Sequence, residues 1–267
     1  MDKSRCILQR ERIDPGILRL TLNDESRRNA LSHAMLAEIS AALIDVETDE
    51  KVRVIVIAAN GSAFCAGHDL KEITAARSNE DGGRSEYEGL FSACASLMQS
   101  IVASSKPVIA EVAGVATAAG CQLVASCDLA VAADTARFAT PGVNIGLFCS
   151  TPMVALSRNV SHKHAMEMLL TGDMISATSA QQIGLVNRVL PSEDLTAGTM
   201  VLAERIAQKS SITLAMGKKA FYAQSSMPLV GAYEYTSAVM VDNILKYDAA
   251  EGIRAFVEKR HPKWQDK

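Results

Sequence analysis

The chain has 267 residues, 48% hydrophobic and 21% charged, with a net charge of −3. That length buries a sizeable core without staples, and the near-balanced charge excludes the basic stripe of a nucleic-acid binder. Aromatic residues make up only 4%, so no platform for stacked bases is expected, and no apolar run approaches the roughly 20 residues of a membrane span. The opening MDKSRCILQRERID alternates charges and has no apolar h-region, so a cytoplasmic protein is the expectation. The six cysteines (Cys6, Cys65, Cys94, Cys121, Cys127 and Cys149) form no CxxC pair, which fits reduced, mostly buried thiols.

The first half alternates strand and helix signals. CILQRE and ILRLTL flank IDPG and predict a hairpin. Met35, Ile39, Leu43 and Val46 recur at helical spacing behind Ser32, which is placed to cap the helix. VRVIVIAA is a buried strand. A second helix follows, with Phe91, Cys94, Leu97, Met98 and Ile101 on one side, and then the strand KPVIAEVAG. AAGCQLVASCD reads as a short helix and LAVAAD as another strand. This alternation implies crossover connections and mainly parallel strands. Beyond about residue 150 the pattern becomes helical, interrupted by the short strand LVNRVL, with Gly172 and Gly184 where helices stop. The division predicted is an α/β core over residues 1–200 and a helical part over 201–267. SNEDGGRSE (78–86) is the one clear flexible loop. His162 and His164 have metal-like spacing but read as a solvated helix start, so no metal is expected.

Two segments share a design. GSAFCAGHDLKEI and GVATAAGCQLVASCD each run from a strand through small residues into a helix. Small side chains let the backbone approach a ligand, and a helix N-terminus offers free N–H groups. Two such turns converging would make an oxyanion hole. Taken by themselves, they are equally compatible with close packing.

FCAGHDLKE, KPVIAEVAGVATAAGCQLVASCDLAVAAD, RFATPGVNIGL and the earlier RRNALS resemble, in that order, the signatures of the crotonase superfamily, the enoyl-CoA hydratases and isomerases. The resemblance covers nearly the whole chain. It implies a crotonase-type spiral of ββα units, a helical C-terminal region that assembles trimers or dimers of trimers, and lyase-type chemistry on an acyl-CoA thioester. Coenzyme A would enter as part of the substrate, with no other cofactor.

Carried over residue by residue, the resemblance places the backbone N–H groups of His68 and Ala119 on the thioester oxygen. Ala119 stands where a glycine is usual, which raises the question of a positive φ there. Ala66, Gly67, Asp69, Leu70, Arg28, Ala30 and Pro141 fall at acyl-CoA contacts, with Arg28 placed for a phosphate. Lys219 and Phe221 would close over the nucleotide, with a neighbouring subunit as a second source. Both glutamates of the family's hydratases are missing: Gln122 and Gly142 occupy their positions. An amide orients water but accepts no proton near neutral pH, and glycine offers nothing, so hydration is not expected.

Among substitutes, Asp69 reads as structural, Glu72 as a solvated helix residue and Glu111 as a buried carboxylate or interface partner. His68 is a candidate base if its side chain turns inward. Cys149 would need a base that the sequence does not identify. Three functions remain open: an enzyme of this class with other chemistry (isomerase, thioesterase or decarboxylase), a non-catalytic acyl-CoA-binding module, and a protein that keeps the fold for assembly.

Overall fold

The computed structural model describes residues 6–267. It opens with the expected hairpin: β1 (Leu8–Ile13) pairs antiparallel with β2 (Ile17–Leu22), Leu8 opposite Leu22. α1 (His33–Glu47) starts where Ser32 accepts the Met35 N–H at 3.2 Å, and it buries Met35, Ile39, Leu43 and Val46 on one face. β3 (Val54–Ala59) follows, an apolar run covered on both faces. Then come β4 (Ala63–Cys65), α2 (Leu70–Ala76), α3 (Arg84–Ala103), β5 (Val108–Val112), β6 (Val115–Thr117) and α4 (Ala119–Ser126). β7 (Leu129–Ala133), β8 (Arg137–Ala139), a 3₁₀ turn at Pro141–Ile145 and α5 (Pro152–Asn159) complete the pattern. The remainder is α6 (His162–Thr171), β9 (Ile175–Ser176), α7 (Ala177–Gln182), β10 (Arg188–Leu190), α8 (Leu195–Ala207), α9 (Ser211–Gln224), α10 (Leu229–Ile244) and α11 (Tyr247–Val257).

The main sheet runs β1-β2-β3-β5-β7-β10 and the second runs β4-β6-β8-β9. Among the described residues, only β1–β2 and β8–β9 are antiparallel pairs. A main-sheet strand is followed at once by a short second-sheet strand three times, at β3–β4, β5–β6 and β7–β8. A helix or 3₁₀ turn comes next in each case. This is the expected ββα spiral. β4 pairs parallel with β6, with a register shift between Ala63 and Cys65, and the turns after these two strands end side by side.

The larger apolar core lies between the main sheet and α1, α3 and α4. A second cluster covers the other face, where Ile17, Val54, Val56 and Ile109 meet Leu195, Leu202 and Ala203. α8, which a boundary at residue 200 would divide, therefore packs with the core. In this layer Glu111 is buried, accepting from Arg19 and from the Thr196 hydroxyl at 3.0 Å. Of the two readings of Glu111, the buried, paired carboxylate is the one observed. Five of the six cysteines are buried and all are unpaired.

Two details differ from the helical pattern. Leu90, not Phe91, fills the buried stripe of α3; Phe91 is 40% exposed and faces the site described below. The 78–86 segment is folded against its own helix: Asp81 accepts from the Gly83 and Ser85 N–H groups, each at 2.9 Å, capping the approach to α3.

α9 is fixed to the core through Lys218 and Tyr222. Lys218, its side chain only 8% exposed, donates to Asp128 at 2.7 Å and to the Ile101 and Lys106 carbonyls at 2.9 Å. Asp128 also accepts from Tyr222 at 2.9 Å and from the Val108 N–H at 2.7 Å. Removing one member of a buried pair leaves the other desolvated, at a cost of about 3–5 kcal/mol. Lys218→Met should therefore lower the denaturation midpoint sharply; an unchanged midpoint would mean that α9 does not depend on this pair.

Candidate active site

The first turn is shaped by two backbone bonds. The Ala66 N–H donates to Arg28 O at 3.1 Å and the Leu31 N–H donates to Gly67 O at 2.8 Å, so the Arg28–Leu31 segment pairs with the turn like a short strand. Because a peptide is planar and trans, a Gly67 carbonyl aimed at Leu31 sends the His68 N–H the opposite way. Asn29 holds the segment from beneath. It is fully buried at φ +52, accepts the Asp24 N–H at 2.8 Å, and donates to the Asn60 and Ala63 carbonyls, each at 2.8 Å. Asp69 caps α2 through the Lys71 N–H at 2.9 Å and pairs with Arg27 at 3.1 Å, a structural role as expected.

The second turn is built against the first. Gly67, at φ +94, lies so close that a Cβ there would stand 3.0 Å from the Ala118 Cβ. A Cβ on Gly120 would stand 2.1 Å from the Cys65 carbonyl oxygen. The Thr117 hydroxyl bonds Ala66 O at 3.1 Å and joins the two turns. The Ala118 carbonyl points into α4, accepting the Gln122 N–H at 3.0 Å, so by the same planarity the Ala119 N–H leaves through the helix N-terminus. α4 is buried along its whole length and has no side-chain cap. Among the described residues, neither the His68 nor the Ala119 N–H has a backbone acceptor.

The backbone irregularity sits one residue earlier than the sequence suggests. Ala119 is helical, while Ala118 has φ 51 and ψ −118. That is the first corner of a mirror-image type II turn, a conformation suited to glycine. The reason is the reversal needed to turn the Ala118 carbonyl into the helix directly after β6.

The His68 side chain is held in place. Its Nδ1 lies 3.2 Å from Leu31 O, which fixes the proton on Nδ1 and the lone pair on Nε2. The Phe91 ring packs edge-on at 5.5 Å. Nε2 is buried and has no hydrogen-bond partner. Burial lowers the imidazole pKa from its ordinary value, and His33 adds to this; the bond to Leu31 and the charge of Glu72 act the other way. Glu72 is not simply solvated: it accepts the His33 N–H at 3.1 Å, at the start of α1.

Gln122 and Gly142 are both buried. The Gln122 amide oxygen lies 3.9 Å from the Cys94 thiol. Around Gly142 there is no room for a side chain: a Cβ would stand 2.5 Å from Leu147 O and 2.9 Å from the Cys149 sulfur. The Leu147 N–H donates to Gly142 O at 2.9 Å, which closes this loop on itself. Burial raises the pKa of the Cys149 thiol, with the Gly142 N–H pulling against it, so the thiol stays protonated rather than serving as a nucleophile. The buried Thr140 hydroxyl, which has no partner, was not legible in the sequence, nor were Asn29 and Thr117.

The remaining candidates divide into two groups. Arg28 is exposed beside the first turn and makes no ion pair among the described residues; Ala30 and Gly67 are buried, Ala66 and Pro141 are half-buried, and Leu70 is exposed at the start of α2. Lys219 and Phe221 are exposed on α9, whose main partner is α10. The single chain does not bring these two into the site. Clefts of about 430 Å³ between α9 and α10 and about 340 Å³ beside α6 include none of these residues. Among the described residues no group of three His, Cys, Asp or Glu is placed to hold a metal, and no helix is long and apolar enough to cross a membrane.

The profile of the family described as Enoyl-CoA hydratase/isomerase matches residues 12–267. The chain belongs to the enoyl-CoA hydratase/isomerase family. Among its relatives is enoyl-CoA hydratase domain-containing protein 3, mitochondrial, of Xenopus laevis, 48% identical over 97% of this chain and 85% of the relative. The protein of that name from Homo sapiens is 47% identical over 93% of this chain and 80% of its own length. Among solved structures, an enoyl-CoA hydratase of Mycobacterium smegmatis superposes with a TM-score of 0.92 at 48% identity, covering 97% of this chain and 98% of the other. Human enoyl Coenzyme A hydratase domain-containing protein 3 gives a TM-score of 0.92 at 45% identity, covering 97% and 100%. AAGCQLVASCD and the FATPGVN stretch resemble this subgroup. The cytoplasmic expectation is overturned: the curated relatives at 47–48% identity are named as mitochondrial proteins.

The strained corner gives a direct test. A non-glycine residue in such a region costs about 1–3 kcal/mol. Ala118→Gly should raise the melting temperature by about 2 °C or more, whereas Gly120→Ala, whose Cβ meets backbone, should lower it. A fall for Ala118→Gly would show that the alanine methyl contributes more than the backbone strain removes.

Proposed function

We propose that this protein binds acyl-CoA thioesters and polarises their carbonyl through the His68 and Ala119 N–H groups, without the water-activating machinery of a hydratase. One observation carries the reading. Two turns that glycine lets come into contact present, side by side, two N–H groups that have no backbone acceptor. Aligned peptide dipoles behind Ala119 favour a developing negative charge. Arg28, free of ion pairs beside the first turn, would meet a phosphate of coenzyme A; Ala30, Ala66, Gly67, Asp69, Leu70 and Pro141 would line its path.

Self-association completes the proposal. On α10, Leu229, Val230, Tyr233, Met240, Val241 and Ile244 are exposed, and Phe256 on α11 is 86% exposed. Their spacing makes an apolar stripe, which supports a homotrimer or a dimer of trimers. Lys219 and Phe221 would then serve a neighbour's nucleotide site. The names of the curated relatives support a mitochondrial location.

Calorimetry with crotonyl-CoA should show binding, while hydration followed by loss of the enone absorbance should stay at least about 100-fold below an ordinary turnover near 10 s⁻¹. Gln122→Glu combined with Gly142→Glu should not restore hydration, because Leu147 O occupies the space that the second side chain needs. Rapid hydration by the unmodified protein would overturn the reading, and so would failure to bind.

A further inference from the structure

We propose that the His68 imidazole is the proton-moving group of this site, which restricts it to one-base chemistry at the carbon next to the thioester carbonyl. The proposal rests on the thioester-binding reading of the same two turns and assigns a side chain where that reading uses only backbone.

The argument begins with what the other groups are doing. Asp69 is committed to the α2 cap and to Arg27. Glu72 is committed to the α1 N-terminus, with Arg27 at 3.7 Å. Cys149 is a protonated thiol, Gln122 is an amide and Gly142 has no side chain. The nearby imidazole of His33 is turned to Glu86 at 2.6 Å; His68 is then the remaining proton acceptor of this group, and its backbone forms half of the hole. Its tautomer is set by Leu31 O, so the free lone pair is on Nε2. Folding has buried this atom without giving it a partner. Buried polar atoms are nearly always satisfied, and an orphan at a site is the mark of a group kept for a ligand.

The charges around the ring keep it neutral. α1 presents His33, itself 2.6 Å from Glu86 at the start of α3; α2 presents Glu72; α3 presents the Phe91 ring. Burial outweighs the attraction of Glu72, and the imidazole stays an uncharged base at neutral pH. Phe91 covers the ring and would have to turn aside to admit the acyl group.

The step balances without a further reactant. The C–H bond at the α-carbon breaks and its proton goes to Nε2. The electron pair moves into the carbonyl, whose oxygen becomes the enolate oxyanion between the His68 and Ala119 N–H groups. Return of a proton to the α-carbon gives exchange; return to the γ-carbon shifts a double bond. Water addition needs a second group to hold and activate water at the β-carbon, and neither 122 nor 142 supplies one.

Butyryl-CoA, which has no double bond to hydrate, isolates the step. Incubated with the protein in heavy water, it should take up deuterium at the α-carbon. The rate should fall as pH drops through a pKa lowered by burial from the ordinary imidazole value and stay level above it, because the base must be neutral. His68→Phe keeps a ring against Phe91 and the backbone N–H, and should lose about 10²–10⁴-fold in exchange while calorimetry still detects butyryl-CoA binding. If that variant fails to fold, His68→Asn makes the same test, since it keeps a donor for Leu31 O but has no base. Exchange at the original rate in either variant overturns the proposal, as does a protein that binds butyryl-CoA and exchanges nothing. A protein that does not bind it at all overturns the thioester reading, and this assignment with it.

Discussion

The site depends on how closely two backbone turns approach. Gly67 rests against Thr117 and Ala118, where a Cβ would be cramped at 3.0–3.2 Å and φ is +94, and Gly120 rests against Cys65 at a separation that no Cβ would tolerate. Everything else follows from that contact. It brings the ends of β4 and β6 together and stacks the short second sheet on them. It also sets two peptide planes so that each carbonyl is consumed inside the protein and each N–H is left facing out. The two N–H groups are backbone, while the Asn29 side chain and the Thr117 hydroxyl hold the turns that present them. The cost appears locally, in the positive φ of Ala118 and in the left-handed pair Arg28–Asn29.

The backbone part of the site and the side-chain part have separate fates. Strand pairing, Asn29 and Thr117 maintain the turns whether or not a reaction occurs. The side chains beside them are placed differently. Gln122 is buried in α4, with its amide oxygen 3.9 Å from the Cys94 thiol. Gly142 is enclosed by the loop that follows it, with Leu147 O and the Cys149 sulfur in the space that a side chain would need.

Much of this was legible in the sequence, for physical reasons that differ by element. The hairpin, α1 with its Ser32 cap, and the buried strands carry strong periodic or turn signals, and the order of the family motifs fixes the spiral. The strands β4, β6 and β8 have three residues each, too few to show a period of two, so the second sheet was invisible. Phe91 matched the helical stripe but is turned toward the site, since a stripe gives a face and not the width of what covers it. Lys218 and Lys219 are adjacent and alike in composition; only the fold shows that one is buried on Asp128 and the other is solvated. The strained residue was one position off because φ is set by where the Ala118 carbonyl must point, which no composition rule encodes. The cytoplasmic expectation failed for a different reason, since residues that lack a targeting pattern say nothing of the compartment in which a chain works.

The loop over Gly142 has a consequence for how such a chain changes over time. A carboxylate placed at 142 would meet Leu147 O and the Cys149 sulfur before it met anything else. Any side chain would first have to evict Leu147 from the space beside the turn. The loop would need to be remodelled before the carboxylate gave any advantage, and the carboxylate would need to be present before remodelling had a use. The packing of one backbone oxygen therefore works like a latch: it keeps position 142 free of any side chain for as long as the loop stays as it is.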